Sequence, residues 1–141
     1  MKTYFDHEKL DVYWEAIAFC GWTGDLLAQI SAKAAAKDQL GRASISIRLN
    51  IAEGNGKFSR VDRSPFLEIA RGSALECAAC LNVLAVRKVV GAEQFVPAKE
   101  RLVRIVNMLM GTLKKFSARA EFLREEEGRY ATDHEQEQEH E

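Results

Sequence analysis

The sequence predicts an all-α protein, an antiparallel up-and-down bundle of four helices. Three observations carry that expectation. Only two prolines, Pro65 and Pro97, interrupt 141 residues, and long proline-free stretches favour helix. Apolar residues recur at three- and four-residue spacing through most of the chain. Where the spacing breaks, the breaks are short and carry residues that start or stop helices. With 47% apolar and 29% charged residues at this length, the composition is that of one globular domain with a real core.

The first helix is expected from about Asp11, its N-cap, to Ile30. Leu10, Tyr13, Trp14, Ile17, Gly21 and Ala28 fall on one side of it, and Val12, Ala16, Phe19, Leu26 and Ile30 on the other. The alanine-rich SAKAAAK then leads into a second helix, from about Lys37 to Gly54. Within it, RASISIRLNIAEGNGK, residues 42–57, alternates isoleucine and leucine with polar residues as a strand would. At 100° per residue the same letters give one stripe of Leu40, Ala43, Ser44, Ile47 and Ile51, and a nearly opposite stripe of Ile45, Leu49 and Ala52. A helix lying between two apolar partners accounts for this better than a lone strand in a helical chain. Gly54 or Gly56 is expected to close it in the left-handed conformation.

Ser64-Pro65 reads as an N-cap followed by proline at the first helical position, opening a third helix that reaches about Val90. Its main stripe is Phe66, Ile69, Ala70, Ser73, Cys77, Cys80, Leu81 and Leu84, with Leu75, Ala79 and Val86 on a weaker second one. After a break at Gly91, Pro97 opens a fourth helix to about Glu126, with Leu102, Ile105, Val106, Leu109, Leu113, Phe116 and Ala120 on its core face. Beyond it, EGRYATDHEQEQEHE has no apolar period and is expected to be disordered. The division is a bundle over residues 1–126 and an acidic tail over 127–141.

One bundle core needs a single stripe from each helix, whereas the first three helices carry two. The surplus residues Ile45, Leu49, Leu75, Ala79 and Val86 are therefore expected to form a subunit interface in a homo-oligomer, a closed ring or a dimer. The opening MKTYFDHEKLD lacks the apolar core of a secretory signal, and no window approaches 18 consecutive apolar residues. Three cysteines, an odd number, argue against a disulfide scaffold. A reducing cytoplasm without membrane contact is the expected location.

The net charge of −1 conceals a division along the chain. Residues 1–32 hold two basic and five acidic side chains (−3), residues 33–120 sixteen and seven (+9), and residues 121–141 two and nine (−7). A basic body is thus masked in the total by an acidic tail, for which two roles stay open: folding back on the body at low salt, and acting only as a disordered solubilising segment.

KLDVYWEAI, QLGRASISIRLNIAEGNGK and FLEIARGSALE, on the first three helices, resemble successive blocks of the 23S rRNA intervening-sequence protein family. The resemblance spans roughly residues 8–125, and Asn50-Ile51-Ala52-Glu53-Gly54 is its most specific part. It implies a small four-helix bundle, commonly assembled as a homopentamer, with no established enzymatic activity. Some members are encoded inside insertions in 23S rRNA genes. A related branch comprises the accessory variability proteins of diversity-generating retroelements, which bind reverse transcriptase and nucleic acid. The chain departs from the family pattern at CGWTG in the first helix and in its acidic tail.

No catalytic constellation is visible. Cys77-Ala-Ala-Cys80 stands alone in mid-helix with both sulfurs on the core stripe. Zinc would need a second ligand pair, and a redox motif would sit at a helix N-terminus, so two small buried hydrophobes are expected. Gly54-Asn55-Gly56-Lys57 closes a helix where a phosphate loop would open one, and it reads as a cap. Asn50, Glu53, Ser73 and Glu76 lie near core-facing edges. An acid–base pair of Glu53 and Glu76 lacks a histidine, metal set or nucleophile beside it, so hydrogen-bonded helix ends neutralised by Arg42 or Arg71 are expected. Neither a cofactor nor a metal is implied.

The best functional candidate is a basic strip on the fourth helix. Arg101, Arg104, Lys115 and Arg119 fall within about 60° of one another, and Lys57, Arg60 and Arg63 add charge in the loop before the third helix. Such a strip suits phosphates, with weak sequence specificity because no aromatics alternate with the cations. The expected function is a non-enzymatic oligomeric bundle that binds RNA, DNA or a nucleic-acid-processing partner such as a reverse transcriptase. The alternative is a protein-interaction scaffold without nucleic-acid contact.

Overall fold

The isoleucine-rich segment is helical throughout. Ser44 Oγ donates to the Gly41 carbonyl (2.8 Å) and Asn50 Nδ2 to the Ser46 carbonyl (2.9 Å), so its polar residues serve the helix they interrupt. The computed structural model describes residues 2–30 and 35–139, with side chains throughout except at residues 120 and 133–139. Among the described residues there are four α-helices and no strand: α1 (Asp11–Gln29), α2 (Ala35–Gly56), α3 (Arg60–Val86) and α4 (Ala92–Glu139), preceded by a 3-10 turn at Asp6–Lys9. Residues 31–34, part of the alanine-rich connection, lie outside the described residues.

The expected stripe of α2 is the buried one. Leu40, Ala43, Ser44, Ile47 and Ile51 are all inside, while Ile45 and Leu49 are exposed. On α1 the core takes the second of the two sides, Val12, Ala16, Phe19, Leu26 and Ile30, joined by Thr23; Tyr13 and Trp14 are half-buried. On α3 the seam is Leu67, Ala70, Ala74, Cys77, Leu81 and Leu84, an alternation of three and four residues that keeps one face on its partner. Ile69, expected in the core, is 52% exposed, because the seam runs through Leu67 and Ala74 instead. From α4 come Ala98, Leu102, Ile105, Leu109 and Leu113, with Val106 and Phe116 packed at the edge.

Helix α2 packs most extensively on α3, and α3 on α4. The contact of α2 with α3 is partly polar. Ser46 and Ser73 hydroxyls lie 2.9 Å apart, and Gln39 Nε2 donates to Glu76 Oε1 while its own Oε1 accepts from Arg42 Nη2 (3.0 Å). Arg42 therefore reaches Glu76 only through Gln39, and Arg71 pairs with Glu68 instead (3.4 Å). Glu53 is exposed.

Besides the end of α4, four helix boundaries differ from expectation, each for a local reason. Gly54 and Gly56 lie inside α2, and no glycine among the described residues has positive φ. Gly54 is needed for space: a Cβ there would sit 2.9 Å from Phe66 Cβ and 3.3 Å from the Arg63 carbonyl oxygen. Helix α3 starts a turn before Pro65 because Ser59 Oγ accepts the Asp62 N–H at 3.1 Å, a stronger start than the Ser64-Pro65 pair. It ends at Val86 because Lys88, at φ 60, takes the left-handed position. Val89 N–H then donates to the Leu84 carbonyl (2.9 Å) and Lys88 N–H to that of Ala85 (3.0 Å), the paired bonds of a Schellman close. Gly91 opens α4, its N–H donating to Gln94 Oε1 (3.1 Å), so Pro97 falls one turn inside.

Helix α4 does not stop near Glu126 but continues to Glu139. Glutamate, glutamine, alanine and arginine are good helix formers, and no proline intervenes. Glu126 and Arg129 pair at 3.9 Å, and Thr132 Oγ1 donates to the Gly128 carbonyl (2.9 Å). Residues 121–132 are exposed, so the extension leaves the bundle and does not fold back over its own basic strip.

By length and apolar composition alone, α3 could cross a membrane. Its seam residues are instead the centre of the bundle, and its outer face carries Leu75, Ala79, Val83 and Val86, all exposed.

Candidate nucleic-acid interface

The seven cations expected to act together form two groups. Arg101 and Arg104 face α1, where both guanidinium groups approach the Glu15 carboxylate, at 3.8 and 3.9 Å. Arg101 is half-buried and Arg104 exposed. Such partly exposed pairs contribute roughly 0–1 kcal/mol each, but they divert charge from any external phosphate. A small cleft beside them, about 150 Å³, is lined by Phe19, Trp22 and Pro97 and also by Glu100.

Lys115 and Arg119 lie about 16 and 22 Å farther along α4 from Arg104. There the start of α3 comes alongside, and Arg60 and Arg119 line one open groove of about 730 Å³ with Val61, Phe116 and Leu123. Lys57 and Arg63 complete the group: Arg63 Nε donates to the Lys57 carbonyl (2.8 Å), which ties the loop to the first turn of α3. Lys57, Arg60, Lys115 and Arg119 are exposed and Arg63 half-buried.

Aromatic rings lie beside these cations, contrary to the expectation from the linear sequence. Lys57 Nζ sits 4.9 Å from the Phe66 ring centre, the Arg60 guanidinium 5.8 Å from Phe116, and that of Arg119 5.4 Å from Phe122. At exposed sites each such contact is worth about 0.5–1 kcal/mol. Phe58, between them in the loop, is fully exposed at 102%. One signal for this was present in the sequence, the run Lys57-Phe58-Ser59-Arg60; the meeting of Arg60 with Phe116 depends on the packing of α3 on α4.

The five residues expected at a subunit interface, Ile45, Leu49, Leu75, Ala79 and Val86, are all exposed, Val86 at 82%. Ile69 and Val83 extend the same face of α3.

Among the described residues no cluster of His, Cys, Asp and Glu could hold a metal ion. Cys77 and Cys80 are buried. Burial, with Cys80, Glu76 and Cys20 nearby, pushes the Cys77 thiol up to about 12, and burial together with Glu76 raises that of Cys80. Burial and a raised pKa disfavour the thiolate form that nucleophilic attack and metal ligation require.

The described residues form an all-α helical bundle with Arg60 and Arg119 at one open groove. The model of the family described as 23S rRNA-intervening sequence protein matches residues 8–111, and the chain belongs to that family. Among solved structures it is similar to a protein of unknown function from the S23 ribosomal protein family of Bacteroides thetaiotaomicron. That likeness has a TM-score of 0.69 at 24% identity over 73% of this chain and 95% of the other, and it speaks to the fold. No curated protein matches.

Proposed function

We propose that the chain is a non-enzymatic, homo-oligomeric helical bundle that binds nucleic acid with low sequence specificity. The observation that carries this reading is the meeting of Arg60 and Arg119 at one open groove beside Phe116 and Phe122, with Lys57 and Arg63 in the adjoining loop and first turn of α3. Lys115 extends the group along α4; Arg101 and Arg104, engaged by Glu15, are secondary. Each phosphate neutralised should steepen the salt dependence of binding.

The test is fluorescence anisotropy of a labelled structured RNA across a salt series. Charge reversal at Arg60 and Arg119 should abolish most of the binding, while reversal at Arg101 and Arg104 should weaken it less. Absence of salt-dependent binding by the wild-type protein would reject the reading.

Within the assembly, an up-and-down antiparallel order fits the reversed pairing of Gln39 with Glu76, Ser46 with Ser73 and the Gly54 region with Phe66. The exposed faces of α2 and α3 supply the subunit contact, and the family resemblance favours a pentamer. Light scattering of Ile45→Glu/Leu75→Glu should show smaller particles than the wild type. Free thiols at Cys20, Cys77 and Cys80 fit a reducing cytoplasm. The same apolar faces support a second reading, a scaffold for another protein, such as a reverse transcriptase, without nucleic-acid contact.

A further inference from the structure

The groove beside Arg60 and Arg119 is unlike an ordinary phosphate-tracking surface. Duplexes are held through their backbones, which requires cations and amides but no exposed rings. Here Val61 and Leu123 are exposed in the groove lining, exposed Phe122 lies against Arg119, and Phe58, next in sequence to groove-lining Ser59, is fully exposed. Exposing four large apolar side chains in one place is unfavourable unless something flat and apolar covers them. Bases of a single strand offer such faces, whereas paired bases are already stacked on one another.

The charges agree with this. Lys57, Arg60 and Arg63 outnumber Asp62 in the loop and first turn of α3, and Arg119 lines the groove from α4, with Lys115 one turn before it. The Arg60 guanidinium, resting over Phe116, and that of Arg119, near Phe122, still have an outer face, and planar guanidinium groups stack on bases as well as pairing with phosphates. The groove volume of about 730 Å³ is in the range of clefts that accept small organic ligands.

We propose that this groove binds a single-stranded polynucleotide, with bases stacked on Phe58 and on the Arg60–Phe116 and Arg119–Phe122 pairs, and phosphates held by Lys57 and Lys115. The inference rests on the nucleic-acid reading above and narrows it to one strand.

The experiment compares the full-length protein with an unstructured labelled oligoribonucleotide, its deoxy counterpart, and the duplex of each, over a salt series. Either single strand should bind more tightly than its duplex, and the RNA and DNA arms identify which strand is preferred. Phe58→Ala should weaken single-strand binding roughly 5- to 100-fold, as loss of one stacked base does, without changing the salt slope. Phe58→Trp should restore it. Lys115→Gln should instead flatten the logarithmic salt slope by about 0.7, the share of one phosphate on a single strand. Phe58 is solvent-exposed, so a circular-dichroism spectrum unchanged by substitution is expected. Duplex binding equal to or tighter than single-strand binding overturns the inference and leaves the broader reading intact. Absence of binding to any of the four probes at low salt overturns both. A smaller assembly for Phe58→Ala with unaltered affinity overturns the inference and makes the groove a contact between copies.

Discussion

Replacing Gly54 by alanine tests whether this glycine serves packing or a turn. The residue is helical and buried, and a methyl group there would stand 2.9 Å from Phe66 Cβ and 3.3 Å from the Arg63 carbonyl oxygen. Carbon atoms in good contact sit about 3.5–4.0 Å apart, so α2 and α3 must separate by roughly half an ångström or more. Neither neighbour can swing away, since one is a Cβ and the other is backbone. Overpacking of this kind costs about 1–3 kcal/mol. Alanine also gains about 1 kcal/mol of helix propensity over glycine, which would mask part of the loss. Gly111→Ala supplies the correction, because Gly111 lies in α4 with nothing within 4 Å of a Cβ. The propensity term cancels between the two variants, leaving the steric cost of about 1–3 kcal/mol as their difference. Urea unfolding at one fixed protein concentration measures it, with m-values required to agree. A difference below about 0.5 kcal/mol, the scale of ordinary surface substitutions, would refute the packing role.

Three further outcomes are expected. Lys88→Gly should stabilise the protein by about 1 kcal/mol in the same unfolding assay, because Lys88 holds φ 60 where glycine carries no Cβ penalty. Native protein at pH 8 should resist alkylation at Cys77, and peptide mapping after unfolding should reveal it; burial keeps this thiol protonated to about 12. Asp6 accepts a 3.0 Å bond from Asn55, and that bond, with Lys9, holds its carboxyl below the ordinary value of 3.8. A depressed acid stabilises the fold above its unfolded pKa and ceases to as pH falls through the folded one. The N-terminal turn should therefore loosen from α2 only below the ordinary aspartate range, and Asn55→Ala should move the Asp6 carbon-13 titration upward.

Much of the fold was legible because helical periodicity is a local property. The buried face of α2 could be read residue by residue, and so could the exposure of Ile45, Leu49, Leu75, Ala79 and Val86. Boundaries were less legible because competing caps lie close together. Ser59 and Ser64 both precede plausible helix starts, and only the bond to the Asp62 N–H decides between them. Gly54 is instructive for the opposite reason. A glycine at a helix end suggests a cap, yet its function is to let α3 approach, which depends on Phe66 twelve residues later. The candidate site divides in the same way. Each cation was visible, but Glu15 lies on a different helix from Arg101 and Arg104, and Phe116 on a different helix from Arg60. Which charges remain available is decided by packing between helices, and no linear spacing reports it.

The course of α4 changes what its acidic end can do. A tail folding back would shield the whole basic strip, including Arg101 and Arg104. A helix running straight on to Glu139 instead places Glu126 and Glu127 seven and eight residues past Arg119, about 10–12 Å along the axis and within about 80° of it around the helix. That separation is about one Debye length at 0.1 M salt. The repulsion should therefore fall on phosphates at the Arg60–Arg119 groove in dilute buffer and fade as salt approaches physiological strength. Ending the chain at residue 126 removes Glu127 and the acids beyond it while leaving every bundle residue in place. Affinity for RNA should rise at low salt, and the full-length and shortened proteins should converge as ionic strength increases. Because the groove end is affected and the Glu15 end is not, the gain should survive charge reversal of Arg101 and Arg104 but disappear with Arg119→Glu. Equal affinities for the full-length and shortened proteins at low salt would mean that the helical extension points its field away from the bound strand.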